Sequence, residues 1–196
     1  MQKTELPLFP LNSVVFPGGS VPLRIFEQRY LDMVRDCART DSGFGICLIL
    51  KDPGDGLPVK HANIGTLVRI SDWFTHDDGL LGIMGRGGRR FRVISTEIQA
   101  DGLGLAQVEW IMPEQPAPLP VEFSVLSAIV ARYMEQAQEH FPDFQPDDLN
   151  NAVFVGYRLA ELLPLNMDEK QKLLEISDPL RRLKLLQKAL PRFQGD

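Results

Sequence analysis

Cysteine is scarce in this chain, and so is every pattern that would give it a redox or metal role. Only Cys37 and Cys47 occur among 196 residues, and they do not form a C-x-x-C pair. Buried free thiols, stable in a reducing compartment, are the simplest reading. Long apolar runs are also missing. The longest candidate, Phe44 to Leu50, is strand-sized and broken by Gly45, far short of the roughly 18 residues a membrane span needs. The opening Met1-Gln2-Lys3-Thr4-Glu5 lacks the basic-then-apolar order of a signal peptide. A cytoplasmic protein without membrane attachment is therefore expected. A net charge of −5 excludes a generally nucleic-acid-seeking surface but leaves room for a local basic patch.

Signatures of catalysis are absent too. Phe16-Pro17-Gly18-Gly19-Ser20 and Gly85-Arg86-Gly87-Gly88-Arg89 are glycine-rich, yet neither fits G-x-x-x-x-G-K-[ST]. Without the lysine and the following helix there is no cradle for a triphosphate. His61, His76 and His140 are scattered, with no H-E-x-x-H face for a metal. No G-x-S-x-G elbow occurs. The lysines of the first half, Lys3, Lys51 and Lys60, sit in polar turns or at the terminus, where nothing would desolvate one into a base. Neither enzyme activity, cofactor nor metal is expected.

Glycine is absent from most of the second half. Fourteen of sixteen glycines precede Pro113, and only Gly156 and Gly195 follow it. Glycine punctuates turns and disfavours helix interiors, so the two halves should be built differently. Between them, Pro113-Glu-Gln-Pro-Ala-Pro-Leu-Pro120 makes an extended, semi-rigid connector. Charge shifts little across it: residues 1–112 carry 12 basic and 13 acidic groups, and 113–196 carry 9 and 13.

The first half reads as seven short strands: Leu6 to Leu11, Val21 to Ile25, Phe44 to Leu50, Ile64 to Ser71, Leu80 to Met84, Phe91 to Ile98 and Leu105 to Ile111. Asp77-Asp78-Gly79 is a hairpin signal. Alternation across Arg90-Phe91-Arg92-Val93 points Phe91 and Val93 inward and the arginines out. One helix, Phe26 to Arg39, carries Tyr30, Leu31, Val34, Cys37 and Ala38 on an apolar stripe, and Asp41-Ser42-Gly43 ends it. Many short strands with one helix suggest a small closed or half-closed barrel.

Helical spacing takes over in the second half. Leu126, Ile129, Val130, Tyr133, Met134 and Ala137 mark one helix beginning near Pro120. Asp147 or Asp148 can cap the next, with Leu149, Ala152, Val153, Gly156, Leu159, Ala160 and Leu163 on its buried face and Pro164 as its stop. Asn166 with Glu169 resembles a capping box. Asp178-Pro179 starts a last helix carrying Leu180, Leu183, Leu186 and Leu190. About four helices in a bundle follow.

Two candidate binding features remain. Arg86, Arg89, Arg90 and Arg92 fall within seven residues. They read either as a patch for RNA phosphates or an acidic peptide, or as a solvated strand face balanced by acidic residues across the sheet. The second is favoured, because no aromatics interleave on that face. Arg24, Glu27, Arg29 and Tyr30 sit where a strand passes into the first helix. They form either a polar lip over a groove or, for Glu27, a first-turn carboxylate in the helix dipole.

The order of these pieces is more specific than their composition. Leu6-Pro-Leu-Phe-Pro-Leu11, Val14-Val-Phe-Pro-Gly18, Val21-Pro-Leu-Arg-Ile-Phe-Glu27 and Arg29-Tyr30 resemble the opening of the LON substrate-binding domain, the N-terminal domain of Lon proteases. The likeness continues through Phe44-Gly-Ile, Ile64-Gly-Thr-Leu67, and Gly85 with Arg90-Phe-Arg-Val93. It extends to Leu163-Pro-Leu165, Lys170-Gln171, Leu174-Glu175 and Asp178 with Arg182-Leu183, so it covers essentially the whole chain.

The resemblance implies an α+β fold: a PUA-like β-barrel with one inserted helix at 1–112, the connector at 113–120, and a helical bundle at 121–196. It implies a non-catalytic protein that binds unfolded or hydrophobic polypeptide segments and partners a separate protease or chaperone. Neither an ATPase nor a Ser–Lys peptidase has room before Asp196. An apolar groove between barrel and bundle, or around Phe16-Pro17-Gly18-Gly19, is the expected site. Phe16, Pro17, Phe26 and Tyr30 would give apolar contact, and Arg24, Glu27, Arg86, Arg90 and Arg92 would fix polar groups. The alternatives are nucleic-acid or small-ligand binding through the barrel, since PUA-like barrels include RNA readers, and an ATP-independent peptidase.

Overall fold

The computed structural model describes residues 4–51, 54, 59–75, 79–137, 141 and 144–193. Met1 to Lys3, His76, Asp77, Asp78, His140 and the last three residues lie outside the described residues, and so does the expected hairpin tip. The chain divides into two compact units, Met1–Pro113 and Glu114–Asp196.

The first unit is a mixed sheet with one helix. Its elements are β1 (Thr4–Leu11), β2 (Ser20–Ile25), α1 (Gln28–Thr40), β3 (Phe44–Lys51), β4 (Lys60–His61), β5 (Ile64–Thr75), β6 (Leu81–Ile98) and β7 (Gly104–Trp110). Pairing runs β1–β7–β6–β5–β3, and a parallel β1–β3 ladder from Leu8↔Gly45 to Leu11↔Leu48 joins the two ends of that order. The other pairings are antiparallel, with β2 added to β6 and the two-residue β4 to β3.

Two apolar clusters lie on this sheet. One gathers Leu6, Leu8, Cys47, Phe91, Ala106 and Val108, with Leu67, Val93 and Trp110 against it. The other joins α1 to the sheet through Met33, Val34 and Cys37, packed with Phe9, Leu23, Ile25, Phe44, Ile46, Val68 and Ile83. Tyr30 and Leu31 are partly buried there, whereas Ala38, expected on the stripe, is exposed. The buried arc of α1 is shifted from the expected stripe, gaining Met33 and losing Ala38, and from Tyr30 it follows i, i+3, i+4, i+7. Asp41 ends the helix in the left-handed region, at φ 50°.

One expectation fails instructively. The glycine-rich stretch 85–89 was expected to separate two strands, yet β6 runs unbroken for 18 residues. Its glycines permit close approach instead of a turn. A Cβ on Gly87 would lie 2.3 Å from the Phe16 carbonyl oxygen, so only glycine fits there. Gly88 and Arg89 form a bulge opposite Leu67, between the pairs Val68↔Gly87 and Thr66↔Arg90. The extra residue resets the alternation. Arg90, expected to point to solvent, is only 4% exposed and sits opposite the fully buried Thr66, while Phe91 is buried as expected.

The second unit is helical: α2 (Ser124–Gln136), α3 (Ala152–Leu162), α4 (Met167–Glu175) and α5 (Pro179–Ala189), with 3-10 turns at Val121–Phe123, Pro146–Asn150 and Leu190–Phe193. Helix α3 is buried on all sides from Val155 to Ala160, as befits the element against which α2, α4 and α5 pack. Its cap is Asn151, whose Oδ1 accepts from the Val153 N–H at 3.0 Å, and not Asp147 or Asp148. Those aspartates serve the preceding 3-10 turn, where Asp148 accepts from the Gln145 N–H. Asn166 and Glu169 form the reciprocal capping box, and Asp178 caps α5 ahead of Pro179. Leu183, Leu186 and Leu190 are buried, but Leu180 is exposed. The proline-rich segment lies along this unit, with the Ala152 N–H donating to Ala117 O and the Leu119 N–H to Asn150 O.

Candidate functional site

The pairing of β1 changes partway along its length. From Thr4 to Leu8 it pairs with β7, and from Leu8 to Leu11 with β3. Beyond Leu8, the edge formerly held by β7 has no strand partner among the described residues. Strand β2 likewise pairs only with β6 among them. A groove of about 310 Å³ is lined by Phe9-Pro10-Leu11 of β1, Pro22-Leu23-Arg24 of β2, Phe26, Glu27, Arg29 and Tyr30 at the start of α1, and Ile49 and Val59. Both strands bring a proline, Pro10 and Pro22, which has no backbone N–H to offer a neighbouring strand.

The floor is aromatic and aliphatic. Phe9 and Leu23 are buried, and the Phe9 and Tyr30 ring centroids are 4.2 Å apart. Arg29 places its guanidinium 4.7 Å from the Tyr30 centroid, and is itself fixed by Glu27 Oε2 at 2.7 Å and Gly102 O at 2.8 Å. Gly102 adopts φ 85°, a conformation natural to glycine, which turns the chain beside this arginine. Burial pushes the Tyr30 phenol pKa up; Arg29 opposes that rise and Glu27 adds to it. The phenol therefore stays protonated at neutral pH.

The rim is different in character. Phe26 is 67% exposed, a large apolar surface held out to water at the mouth. Glu27 occupies the N-cap position of α1, but its side chain makes no cap hydrogen bond and turns to Arg29 instead. The groove is thus an apolar trough with one exposed aromatic and a charged end, suited to seating an apolar side chain while orienting the polar chain around it.

Of the nine residues singled out from the sequence, Arg24, Phe26, Glu27 and Tyr30 come together on this groove. The other five do not line it. Phe16, expected as an aromatic anchor, is fully buried. Pro17 is half-buried beside it, in the loop that clasps β6: the Gly18 N–H donates to Gly87 O at 2.7 Å and the Gly87 N–H to Gly19 O at 2.8 Å. The two glycine-rich motifs therefore meet each other, and Gly18 adopts φ 76° to allow it. Arg86 is half-buried on β6 opposite Ser20, and Arg92 is exposed, in register with Glu109 on β7. The arginine run is split: Arg89 stacks 5.2 Å from the Trp110 ring centroid, Arg90 is buried, and Arg92 faces solvent.

Arg29, read from the sequence as part of a polar lip, lines the groove with Arg24, Phe26, Glu27 and Tyr30, whereas Phe9, Pro10, Leu11, Pro22, Leu23, Ile49 and Val59 were missed. A signal was present in the two prolines of Leu6-Pro-Leu-Phe-Pro-Leu11, because proline inside a strand marks an unpaired edge. Both thiols are free and buried, in different apolar clusters. Burial raises the pKa of Cys37 and pushes that of Cys47 up to about 12. Among the described residues, no three His, Cys, Asp or Glu side chains gather closely enough to hold a metal ion, and no helix is long and apolar enough to cross a membrane.

Comparison with known proteins now adds to the geometry. The family model for the ATP-dependent protease La (LON) substrate-binding domain matches residues 5–192. A crystal structure of a Lon N-terminal domain protein from Xanthomonas campestris is 44% identical with a TM-score of 0.77, covering 94% of this chain and 98% of that one. The N-terminal domain of a Mycobacterium avium complex Lon protease, 18% identical, shares the fold with a TM-score of 0.64 over 93% of this chain and 96% of that one. Lon protease 2 of Myxococcus xanthus is 28% identical over 198 residues, covering 95% of this chain but only 23% of its own length. The chain therefore spans about a quarter of the curated Lon relatives it matches.

Proposed function

The chain belongs to the LON substrate-binding domain family, and from that premise we propose that it recognises unfolded or apolar polypeptide segments and performs no chemistry on them. The groove at the start of α1 carries this reading. Its floor of Phe9, Leu23 and Tyr30 suits a large apolar side chain, and Phe26 adds exposed aromatic surface at the mouth. Arg24 and Glu27 supply polar contacts to the flanking backbone. A volume of about 310 Å³ lies at the low end of small-molecule pockets, the size of one or two side chains.

The finer architecture belongs to the same proposal. The ring of β1, β7, β6, β5 and β3 reads as a PUA-like barrel, since every one of these strands contributes to the cluster around Phe91. Helices α2 to α5 read as a helical bundle. The buried free thiols fit a reducing cytoplasm, where a separate protease or chaperone would receive the bound chain. Division of the arginine run between buried and exposed positions weighs against an RNA platform, which needs a contiguous basic face.

The test is fluorescence anisotropy with a labelled, permanently unfolded polypeptide. Phe26→Ala and Tyr30→Ala should each weaken binding by about tenfold, as loss of an aromatic anchor does, and Arg24→Ala by less. Wild-type affinity in all three variants would refute the site. Peptide products found by mass spectrometry in the absence of ATP would refute the non-catalytic reading.

A further inference from the structure

A second groove lies wholly within the helical unit. Leu165 and Leu173 are buried in its floor, Leu185 and Ala189 line it from α5, and Glu169, Lys172, Lys188 and Arg192 surround it. Its volume is about 270 Å³, and Leu185 remains 42% exposed. That space suits one large aliphatic side chain rather than a folded surface.

Charge on the α5 side of the groove is one-sided. From Pro179 to Phe193 the chain has five basic residues and no acidic one, within a protein of net charge −5. Arg182 turns inward to Glu114, but Arg181, Lys184, Lys188 and Arg192 are exposed. Residues 181, 184, 185 and 188 recur at helical spacing, which puts Leu185 on the same face as three of these cations.

The single rim carboxylate is already engaged. Glu169 accepts from Arg192 Nη1 at 2.5 Å and from the Asn166 N–H at 3.1 Å. The Arg192 hydrogen bond, seconded by Asn166, holds the Glu169 pKa below the usual glutamate range. Lys172 and Lys188 make no ion pair among the described residues, and although Lys172 lies near enough to help lower the Glu169 pKa, the lining sets three cations against one carboxylate.

We propose that this α4–α5 groove is a docking site for an acidic polypeptide segment of a partner protein, one that presents a leucine-sized side chain flanked by aspartate or glutamate. The anchor fills the space above Leu165 and Leu173 beside Leu185, and its acidic neighbours meet Lys172 and Lys188. Charge complementarity selects this occupant. A nucleic acid would leave the aliphatic floor unused, since that floor offers no ring for a base to stack on. The site is separate from the groove at α1 and does not depend on its function.

The experiment uses the full chain and a short fluorescein-labelled peptide with two central leucines among glutamates and aspartates. Its controls have alanine for the leucines or lysine for the acids. The acidic leucine peptide should bind, the controls should bind at least about tenfold more weakly, and rising salt should reduce the affinity. The double variant Lys172→Glu/Lys188→Glu should lose about tenfold or more, and Leu185→Ala about fivefold. All these residues are on the surface, so circular dichroism should be unchanged.

Equal binding of the alanine control, or wild-type affinity in the charge-reversed variant, would overturn the proposal. So would an oligothymidylate that binds more tightly through the same lysines, or a dimer in sedimentation that the same substitutions dissolve. Tyr30→Ala separates the two grooves: it should leave this affinity unchanged, and a matching loss would show that the peptide sits at α1 instead.

Discussion

At the scale of single residues, the most committed polar group in the helical unit is Arg182. Its side chain is fully buried and the side chain of Glu114 is 3% exposed. The guanidinium donates to Glu114 Oε2 at 2.9 Å and Oε1 at 2.6 Å, to Leu173 O at 3.1 Å and to Ile176 O. Tyr157 completes the group, its hydroxyl donating to Glu114 Oε1 at 2.5 Å and its ring centroid lying 4.0 Å from the guanidinium carbon. Breaking one partner of such a pair strands a buried charge. Glu114→Gln should therefore cost about 3–5 kcal/mol, and Tyr157→Phe about 1 kcal/mol, both read from urea unfolding. A Glu114→Gln cost below that of Tyr157→Phe would show that the pair does not anchor this unit.

Nothing in the local pattern around Arg182 distinguished it from its exposed neighbours Arg181 and Lys184. A buried arginine is legible only with its distant carboxylate, 68 positions away. Arg90 was misread for the opposite reason, since a local pattern existed but a bulge displaced it.

At the scale of elements, boundaries written in local chemistry were readable. The capping box of α4, the Asp178-Pro179 start of α5 and the Asp41 stop of α1 all follow from side chains within a few residues of the backbone they serve. Tertiary demands were not readable. Glycines 85, 87 and 88 spelled a turn, yet Gly85 and Gly87 allow β6 to run against the Val68 side chain and the Phe16 carbonyl.

The same logic governs Gly65 on β5, where a Cβ would lie 2.4 Å from Ile46 O and 2.7 Å from the Phe91 ring. Backbone and a buried ring cannot both yield, so Gly65→Ala should lower stability by about 2 kcal/mol or more. The thermal midpoint measures it, and an unchanged midpoint would mean that the β3–β5 ladder opens freely there.

At the scale of the molecule, the change in composition near Pro113 anticipated a sheet-built part and a helix-built part. What composition could not supply was the return of β1 to β3, a parallel pairing that spans more than thirty residues. The groove follows from that topology. It opens where β1 has left β7 behind and where β2 pairs only with β6 among the described residues, so its lining comes from segments far apart in the chain. Arg24, Phe26, Glu27, Arg29 and Tyr30 were legible because they cluster at the β2–α1 junction, and Phe9, Ile49 and Val59 were not.

The prolines on both walls of that groove carry a further consequence. A receptor that gathers sticky, unfolded chains beside open strand edges risks becoming a template on which those chains stack into fibrils. Pro10 and Pro22 withhold amide hydrogens where such growth would begin. Pro22→Val should leave the fold intact yet raise thioflavin fluorescence when the protein is incubated with unfolded polypeptide, and identical fluorescence in both proteins would deny the prolines this part. On the proposed function, such a groove would hold a disordered chain by its side chains and deny it a backbone on which to polymerise.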